Sequence, residues 1–402
     1  MRTFFTAGMI SSALLVGIAG SPASVSANEL DADMSYKKGF TFQTTDNRYK
    51  MQIQARIQAR IATPSDSQPT SLEDYLNYSK GDEEIGINRA RLKIKGHAYQ
   101  PWLKFALEYD LDGSRLLSYT VNVEKNDGLK FKTGQWKFEY SRERSVSSGG
   151  QQMLDRSIIN RIFTIDRQQG AAIYGNLGSQ HIPNVSYWLG VGTGNGLGSN
   201  KNDGGAPLYY GRVQWNIAGE DFGFNASDLT FSKSLNASMA ISFSTNESAF
   251  TRFSSSGGGQ LESFEEGIDN QYEIDQHNID FALMYRGLSA QGEFHKKNIS
   301  DSAGVQNTDT EYTGYYVQAG YLGHARFNWW PKPLEIALRY ATYEEVDNTN
   351  DERHVEKALA ANWFFNGHRN KLTADITQFD IEQATLATVD ETRFRVQWDV
   401  TF

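Results

Sequence analysis

The sequence predicts an all-β protein, a transmembrane antiparallel β-barrel of about 16 strands, and three observations carry that prediction. First, residues 392–402 alternate: Phe394, Val396, Trp398, Val400 and Phe402 share one face, while Arg393, Arg395, Gln397, Asp399 and Thr401 share the other. Second, the same two-residue period recurs along most of the chain. Third, the chain opens on an export signal. A soluble sandwich can also end on such a strand, but the recurrence and the signal favour a barrel in an outer membrane, lipid outside and water inside.

Residues 1–27 read as a secretory signal peptide. Arg2 supplies the positive start, residues 13–19 a short apolar run, and Ser24-Val25-Ser26-Ala27 the small residues at which a signal peptidase cuts. Gly and Ser interrupt the apolar run, which falls short of the roughly 20 residues needed to span, so cleavage is expected rather than anchoring. Residues 28–48 are expected to form an N-terminal periplasmic segment and 49–402 the barrel. A mean hydropathy of −0.54 would suit a soluble protein, but a barrel strand shows lipid only every second residue. Aromatics at 13% suit girdles at two membrane interfaces. No Pro-rich linker or composition break divides the chain, so one barrel explains its length better than two soluble domains.

The candidate strands, in order, are 49–62, 86–99, 102–112, 116–124, 128–137, 169–176, 184–193, 206–218, 236–245, 274–286, 288–298, 311–323, 333–344, 353–365, 370–382 and 391–402. In the first, Gln52, Gln54, Arg56, Gln58 and Arg60 oppose Met51, Ile53, Ala55, Ile57 and Ile61. In the third, Leu103, Phe105, Leu107, Tyr109 and Leu111 share a face, and in the tenth Ile279, Phe281, Leu283 and Tyr285 do. The connections alternate as well. Tight turns fall near Gln100-Pro101, Asn126-Asp127-Gly128, Arg286-Gly287 and Asn366-Gly367; longer loops cover 63–85, 138–168, 194–205, 246–273, 299–310 and 345–352. Short turns on one rim and long loops on the other are expected of this architecture. The stretch 219–235 departs from the rule, being long on the short-turn side.

Four stretches resemble one known family, the phosphate-selective porins O and P. They are Ala55-Arg56-Ile57-Gln58-Ala59-Arg60; Asn88-Arg89-Ala90-Arg91-Leu92-Lys93-Ile94-Lys95-Gly96 with Trp102-Leu103-Lys104-Phe105; Leu129-Lys130-Phe131-Lys132-Thr133-Gly134-Gln135-Trp136-Lys137 leading to Glu143-Arg144 and Asp155-Arg156-Ser157; and a closing half with Gly314-Tyr315-Tyr316-Val317-Gln318, Ala361-Asn362-Trp363-Phe364 and the terminal aromatic. The resemblance implies a homotrimer of sixteen-stranded barrels, with loop 138–168 folded into each lumen as a constriction. It also implies passage of small anions, phosphate or its condensed forms among them, along a ladder of arginines. Arg56 and Arg89 match family wall arginines, and Arg144 and Arg156 match basic positions on the constriction loop. Asn88 departs from the pattern, standing where relatives can carry a second adjacent arginine; Glu143 and Asp155, beside the two matched loop arginines, depart from it too.

Charge distribution is compatible with that function although net charge is not. Without Arg2 of the leader the chain has 38 basic and 48 acidic side chains, a net charge of −10. Segments 65–84, 246–275 and 344–353 together hold −15 of it, so the remainder is +5. The acidic excess thus falls on expected outer loops, which meet water, lipid and lipopolysaccharide. The expected lumen is basic: Arg56 and Arg60 on one strand, Arg89, Arg91, Lys93 and Lys95 on the next, then Lys130 and Lys132, with Arg142, Arg144, Arg156, Arg161 and Arg167 from the third loop. Guanidinium forks suit phosphate and carboxylate oxygens, and a confined pore strengthens their field. The opposing reading is neutralisation: Glu108 and Asp110 face Arg89 and Arg91 across a strand pair, and Glu139, Glu143, Asp155 and Asp166 lie among the loop arginines.

Other chemistries find little support. The absence of cysteine removes disulfides, thiolate metal sites and cysteine nucleophiles. No HExxH, P-loop or GxSxG motif occurs, and the seven histidines lack metal-ligand spacing. Asp110-Leu111-Asp112-Gly113 resembles the start of a calcium loop without its distal acid. No cofactor, metal, nucleic-acid partner or catalysis is expected. The leading reading is a passive anion-preferring porin. The alternatives are a general or cation-leaning porin with paired arginines, a barrel-anchored adhesin, and a barrel enzyme.

Overall fold

A computed structural model describes residues 31–402, apart from 37, 67–82, 180, 181, 220, 263, 303, 305–308, 347–351 and 383–388. The signal-peptide reading and most of loop 63–85 lie outside the described residues. A hairpin comes first, β1 (Ala32–Tyr36) and β2 (Phe40–Thr44). The barrel strands follow: β3 (Lys50–Thr63), β4 (Glu84–His97), β5 (Leu103–Asp110), β6 (Arg115–Asn126), β7 (Leu129–Lys137), β8 (Arg167–Ser179), β9 (Ile182–Gly192), β10 (Leu208–Ala218) and β11 (Asn236–Ser248). After a two-strand excursion, β12 (Arg252–Ser254) and β13 (Gly257–Gly259), come β14 (Tyr272–Tyr285), β15 (Leu288–Asp301), β16 (Thr310–Tyr321), β17 (Leu334–Val346), β18 (Arg353–Phe364), β19 (Asn370–Glu382) and β20 (Val389–Thr401). Each barrel strand pairs antiparallel with the next, and β20 pairs back onto β3, closing a sixteen-stranded barrel without edges. All sixteen expected strands are present, with ends within three residues of those read from the sequence.

The C-terminal aromatic seals the seam. Phe402 and Ala55 exchange backbone hydrogen bonds of 2.7 and 2.9 Å. Below that point β3 would have a bare edge; β2 covers it through Phe40↔Ile53 to Gln43↔Lys50, and β1 covers β2. The short strands within 28–48 were not anticipated.

Odd-even partition holds through the middle of the wall. Ile57, Ile61, Val213, Ile241, Phe281, Leu338 and Trp398 are exposed on the lipid side, with polar neighbours inward. It inverts at the outer end of β14–β19. There Glu273, Glu344 and Glu382 face outward, while Tyr272, Ile274, Ile299, Tyr312, Tyr343, Phe379 and Ile381 are buried inward. The strands have passed beyond hydrocarbon at this level: water or headgroups lie outside, and a packed loop lies inside. A bulge on β4 shifts the pattern once more. Gln58 pairs with Arg89 but Ala59 with Ile87, so the parity of β4 changes at Asn88; Ile85 and Ile87 face lipid while Arg89, Arg91, Lys93 and Lys95 face inward.

Loop 138–166 folds into the lumen, as the resemblance implied. It carries two short helices, α1 (Arg142–Ser145), capped by the Ser141 hydroxyl, and α2 (Ile159–Phe163). Ile158, Ile159, Ile162 and Phe163 pack into the inverted apolar patch, joined by Phe253, Leu261 and Phe264 of the outer loop 249–271. At its near end Phe138 stacks between Trp136 and Tyr210, with both ring separations 4.5 Å. Between those anchors the loop crosses to the far wall. Gln152 bonds Ser289 and Glu335, Ile158 N donates to Glu356, Lys371 donates to the Gln151 carbonyl, and Arg395 reaches Asp155.

Candidate functional site

The crossing loop divides the lumen unevenly. On β10–β20 nearly every inward side chain is buried: Arg212, Gln214, Asn278, Glu293, Gln318, Glu335, Arg339, Asn362, Asp375 and Arg395 are each under 5% exposed. On β4–β8 the inward row stays partly open to water, through Arg89, Lys93, Lys95, Lys104, Asp110, Asn122, Glu124, Lys130, Lys132 and Tyr174. The side of the lumen left open therefore lies along β4–β8, and the loop packs against the opposite half.

The thirteen basic residues singled out in the sequence all reach the lumen or the loop that fills it, and most carry carboxylate partners; Lys95, exposed in the lumen, shows none among the described residues. Asp155 gathers three arginines: Arg60 at 2.7 Å, Arg395 at 2.9 Å and Arg89 at 3.5 Å. Glu108 holds Arg91 at 3.2 Å, Lys93 at 3.3 Å and Arg167 at 3.6 Å. Asp166 takes the Arg144 Nε at 2.8 Å and Arg167 at 3.5 Å. Lys132 pairs with Glu139 at 2.7 Å, Lys130 with Asp127 at 3.0 Å, and Arg161 with Glu262. Uncharged oxygens hold three of them as well. Arg56 donates to Ser147 and Ser148, Arg142 to the carbonyls of Gly223 and Asn225, and Arg156 to those of Glu143, Arg144 and Val146.

Neutralisation was foreseen, but several partners differ. Glu108 takes Arg91, as expected, and Lys93 besides; Glu139 takes a strand lysine, Asp155 takes the wall arginines Arg60, Arg89 and Arg395, and Glu143 lies 3.7 Å from Arg339 of β17. Burial alone would raise the Asp155 carboxyl; Arg60, Arg395 and Arg89 more than offset it and hold it below the usual carboxylate range. Asp166 is likewise raised by burial but lowered further by Arg144 and Arg167, to about 2. Both loop carboxylates are thus anions: Asp155 clamps the loop to the wall, and Asp166 ties Arg144 back to the loop's own end.

Sequence reasoning passed over two groups. Lys104, opposite the apolar face Leu103-Phe105, opens into the passage and pairs with Glu124 at 2.5 Å. Strand parity alone identifies it. Arg212, Arg339 and Arg395 anchor the closed half to Asp280, Glu356 and Asp375. Their inward parity was legible, but not the loop that covers them. Among the described residues, no cluster of His, Cys, Asp and Glu fits a metal ion, and no helix is long and apolar enough to cross a membrane.

Known proteins share this architecture. A loop-deletion mutant of OmpT, an outer membrane protein of Vibrio cholerae, superposes with a TM-score of 0.58 at 10% identity, covering 88% of this chain and 100% of that one. The outer membrane channel DcaP of Acinetobacter baumannii gives 0.57 at 10% identity, covering 90% and 99%. An anion-selective porin from Comamonas acidovorans gives 0.54 at 12% identity, covering 88% and 100%. At such identities these likenesses speak for the fold alone. No curated protein matches by sequence. Residues 65–402 match the family model described as phosphate-selective porin O and P, and the chain belongs to that family of outer-membrane porins.

Proposed function

We propose that this porin passes small solutes along β4–β8 with a general preference for anions. One observation carries the reading. The inner wall of β4–β8 presents Arg89, Lys93, Lys95, Lys104, Lys130 and Lys132 to the open side, with Arg91 buried behind them, against Glu108, Asp110 and Glu124 on the same strands and Asp155, Glu139 and Asp127 from the loop and a turn. Lys95 has no ion-pair partner among the described residues. An excess of cations along a narrow aqueous path raises the local concentration of anions and repels cations. Lysines dominate the open stretch, and an ammonium acts as a point charge, whereas bidentate capture of phosphate favours guanidinium. Most of the guanidiniums are committed to carboxylates. The preference is therefore broad, with phosphate one permeant among several.

A near-neutral or cation-leaning porin is the second reading, favoured by the pairing of at least nine of the thirteen expected basic residues. Ion selectivity in planar bilayers separates the two. Lys93→Glu with Lys95→Glu should reverse or abolish anion preference; unchanged selectivity in open channels would favour the second. A homotrimer is supported by the family and by a trimer form of OmpT among the structural neighbours. The outward charges at the rim, Lys296 with Glu311 and Lys357 with Asp380, suit contact with lipopolysaccharide headgroups. No catalysis is ascribed to the barrel, and export through a cleaved leader remains part of the proposal.

A further inference from the structure

The long connection on the short-turn rim, between β10 and β11, does not hang into the periplasm. Its residues 221–235 fold back against loop 138–166: Ala226, Ser227 and Asp228 are almost wholly covered, Phe222 and Phe224 are half-buried, and Asp221, Asn225 and residues 233–235 stay exposed. Arg142 of α1 is the meeting point. Its guanidinium donates to the Gly223 carbonyl at 2.9 Å and the Asn225 carbonyl at 3.4 Å, with its Cζ 5.0 Å from the Phe222 ring and 5.8 Å from that of Phe224. Arg212 of β10 also lies near this ring, its Cζ 5.4 Å from the Phe224 centroid. A second tie runs through Glu335, whose two oxygens accept from Ser227 at 3.1 Å and from Gln152 of the loop at 2.8 Å. The end of the segment is fastened by Asp228, which accepts from the backbone N–H of Ser232 and of Gly287 in the β14–β15 turn. Below it lies a polar cavity of about 830 Å3 bordered by Lys38, Asp221, Asn225 and His368. The segment is thus a floor: loop above, periplasmic vestibule below.

We propose that segment 221–235 is a second constriction element, inserted from the periplasmic side, and that Arg142 latches it to loop 138–166. Together the two close the β10–β20 half of the lumen from both ends. Arg142 is then a positioning residue and takes no direct part in holding a permeating anion. The confinement of flow to β4–β8 rests on the passage described above; the latch itself does not.

Two experiments test the latch, and the absence of native cysteine makes both clean. In the first, Gln152→Cys and Ser227→Cys are combined in the full chain and treated with a short bifunctional thiol reagent. The cross-linked peptide pair should appear by mass spectrometry with channel conductance retained; its absence, with both thiols separately reactive, would overturn the proposal. In the second, Asn216→Cys on the covered wall reports entry of a charged thiol reagent from the periplasmic side. Phe222→Ala with Phe224→Ala, and separately Arg142→Ala, should each raise its labelling rate about tenfold by local opening and leave the reversal potential unchanged. If Arg142→Ala alone shifts the reversal potential while the phenylalanine pair does nothing, Arg142 contacts the ions and the latch is wrong. Failure of the anion reading appears instead in the unmodified protein, whose reversal potential would favour cations with the cross-link still formed.

Discussion

Asp155→Asn is the substitution that most sharply separates the two roles of charge in this lumen. It removes the carboxylate shared by Arg60, Arg89 and Arg395. Arg60 retains Asp66 at 2.7 Å and Arg395 retains Asp375 at 2.8 Å, whereas Arg89 keeps no carboxylate among the described residues and is left with the Gln58 oxygen at 3.1 Å. Breaking a buried pair costs roughly 3–5 kcal/mol, and the retained partners place this case near the lower bound. The loss falls on docking of the loop, because Asp155 is its charged tie to β3, β4 and β20, beside the hydroxyl contacts of Ser147 and Ser148 with Arg56 and Arg91. The effect on permeation is separate and smaller. One unit charge removed about 7 Å from a permeating ion changes its energy by roughly 0.6 kcal/mol at the dielectric of water and more in a confined pore. That is about threefold in relative permeability, moderated by salt. Reversal potentials of wild type and variant, with limited proteolysis of loop 138–166, measure both. Anion preference should rise about threefold while the loop becomes easier to cut. Open channels with unchanged selectivity and an uncut loop would refute the clamp.

Further predictions follow from the same contacts. Lys95→Glu acts on a passage lysine that has no ion-pair partner among the described residues, and should lower anion preference without loosening the loop, as read by reversal potential and proteolysis. Arg156→Ala strips donors from three backbone carbonyls of the loop and should weaken its docking by about 1.5–3 kcal/mol, seen as channel flicker. Ile241→Arg places a guanidinium on the lipid face, where the isoleucine is 62% exposed, and should destabilise the barrel by roughly 2–4 kcal/mol in a lipid-based unfolding titration. Asp155 and Asp166 are more acidic folded than unfolded, so their contribution is complete above the unfolded value of about 3.9 and fades as pH falls below it. Docking of loop 138–166 through these two carboxylates should accordingly weaken only in acid below about pH 4, read as faster limited proteolysis of the loop; in the Asp155→Asn variant that acid sensitivity should shrink, and an unchanged acid profile would contradict the Asp155 pairs.

The wall of this barrel was legible because its code is local. Two residues of period place Ile57 and Arg56 on opposite faces whatever the rest of the chain does, and all sixteen strands followed from that. The hairpin β1–β2 escaped because five-residue strands give too few alternations to register, and because what makes Phe40 and Phe42 a strand is the bare edge of β3. The outward Glu273 beside inward Tyr272 escaped for a different reason: periodicity gives faces but not membrane height. The site was legible by residue type and not by partner. Arg60 and Asp155 are far apart in sequence and meet only because a loop crosses the lumen, so whether that arginine is free or clamped is a tertiary fact. Lys104 shows the converse, a passage residue that strand parity alone identifies.

The account stands on the ionic preference of the open β4–β8 passage. The most direct measurement is the zero-current potential of the unmodified protein in a planar bilayer under a potassium chloride gradient. A potential displaced toward the chloride equilibrium value is the predicted result. A potential displaced toward that of potassium, from channels of stable conductance, would mean that the paired carboxylates govern permeation and that the lysine-lined wall does not.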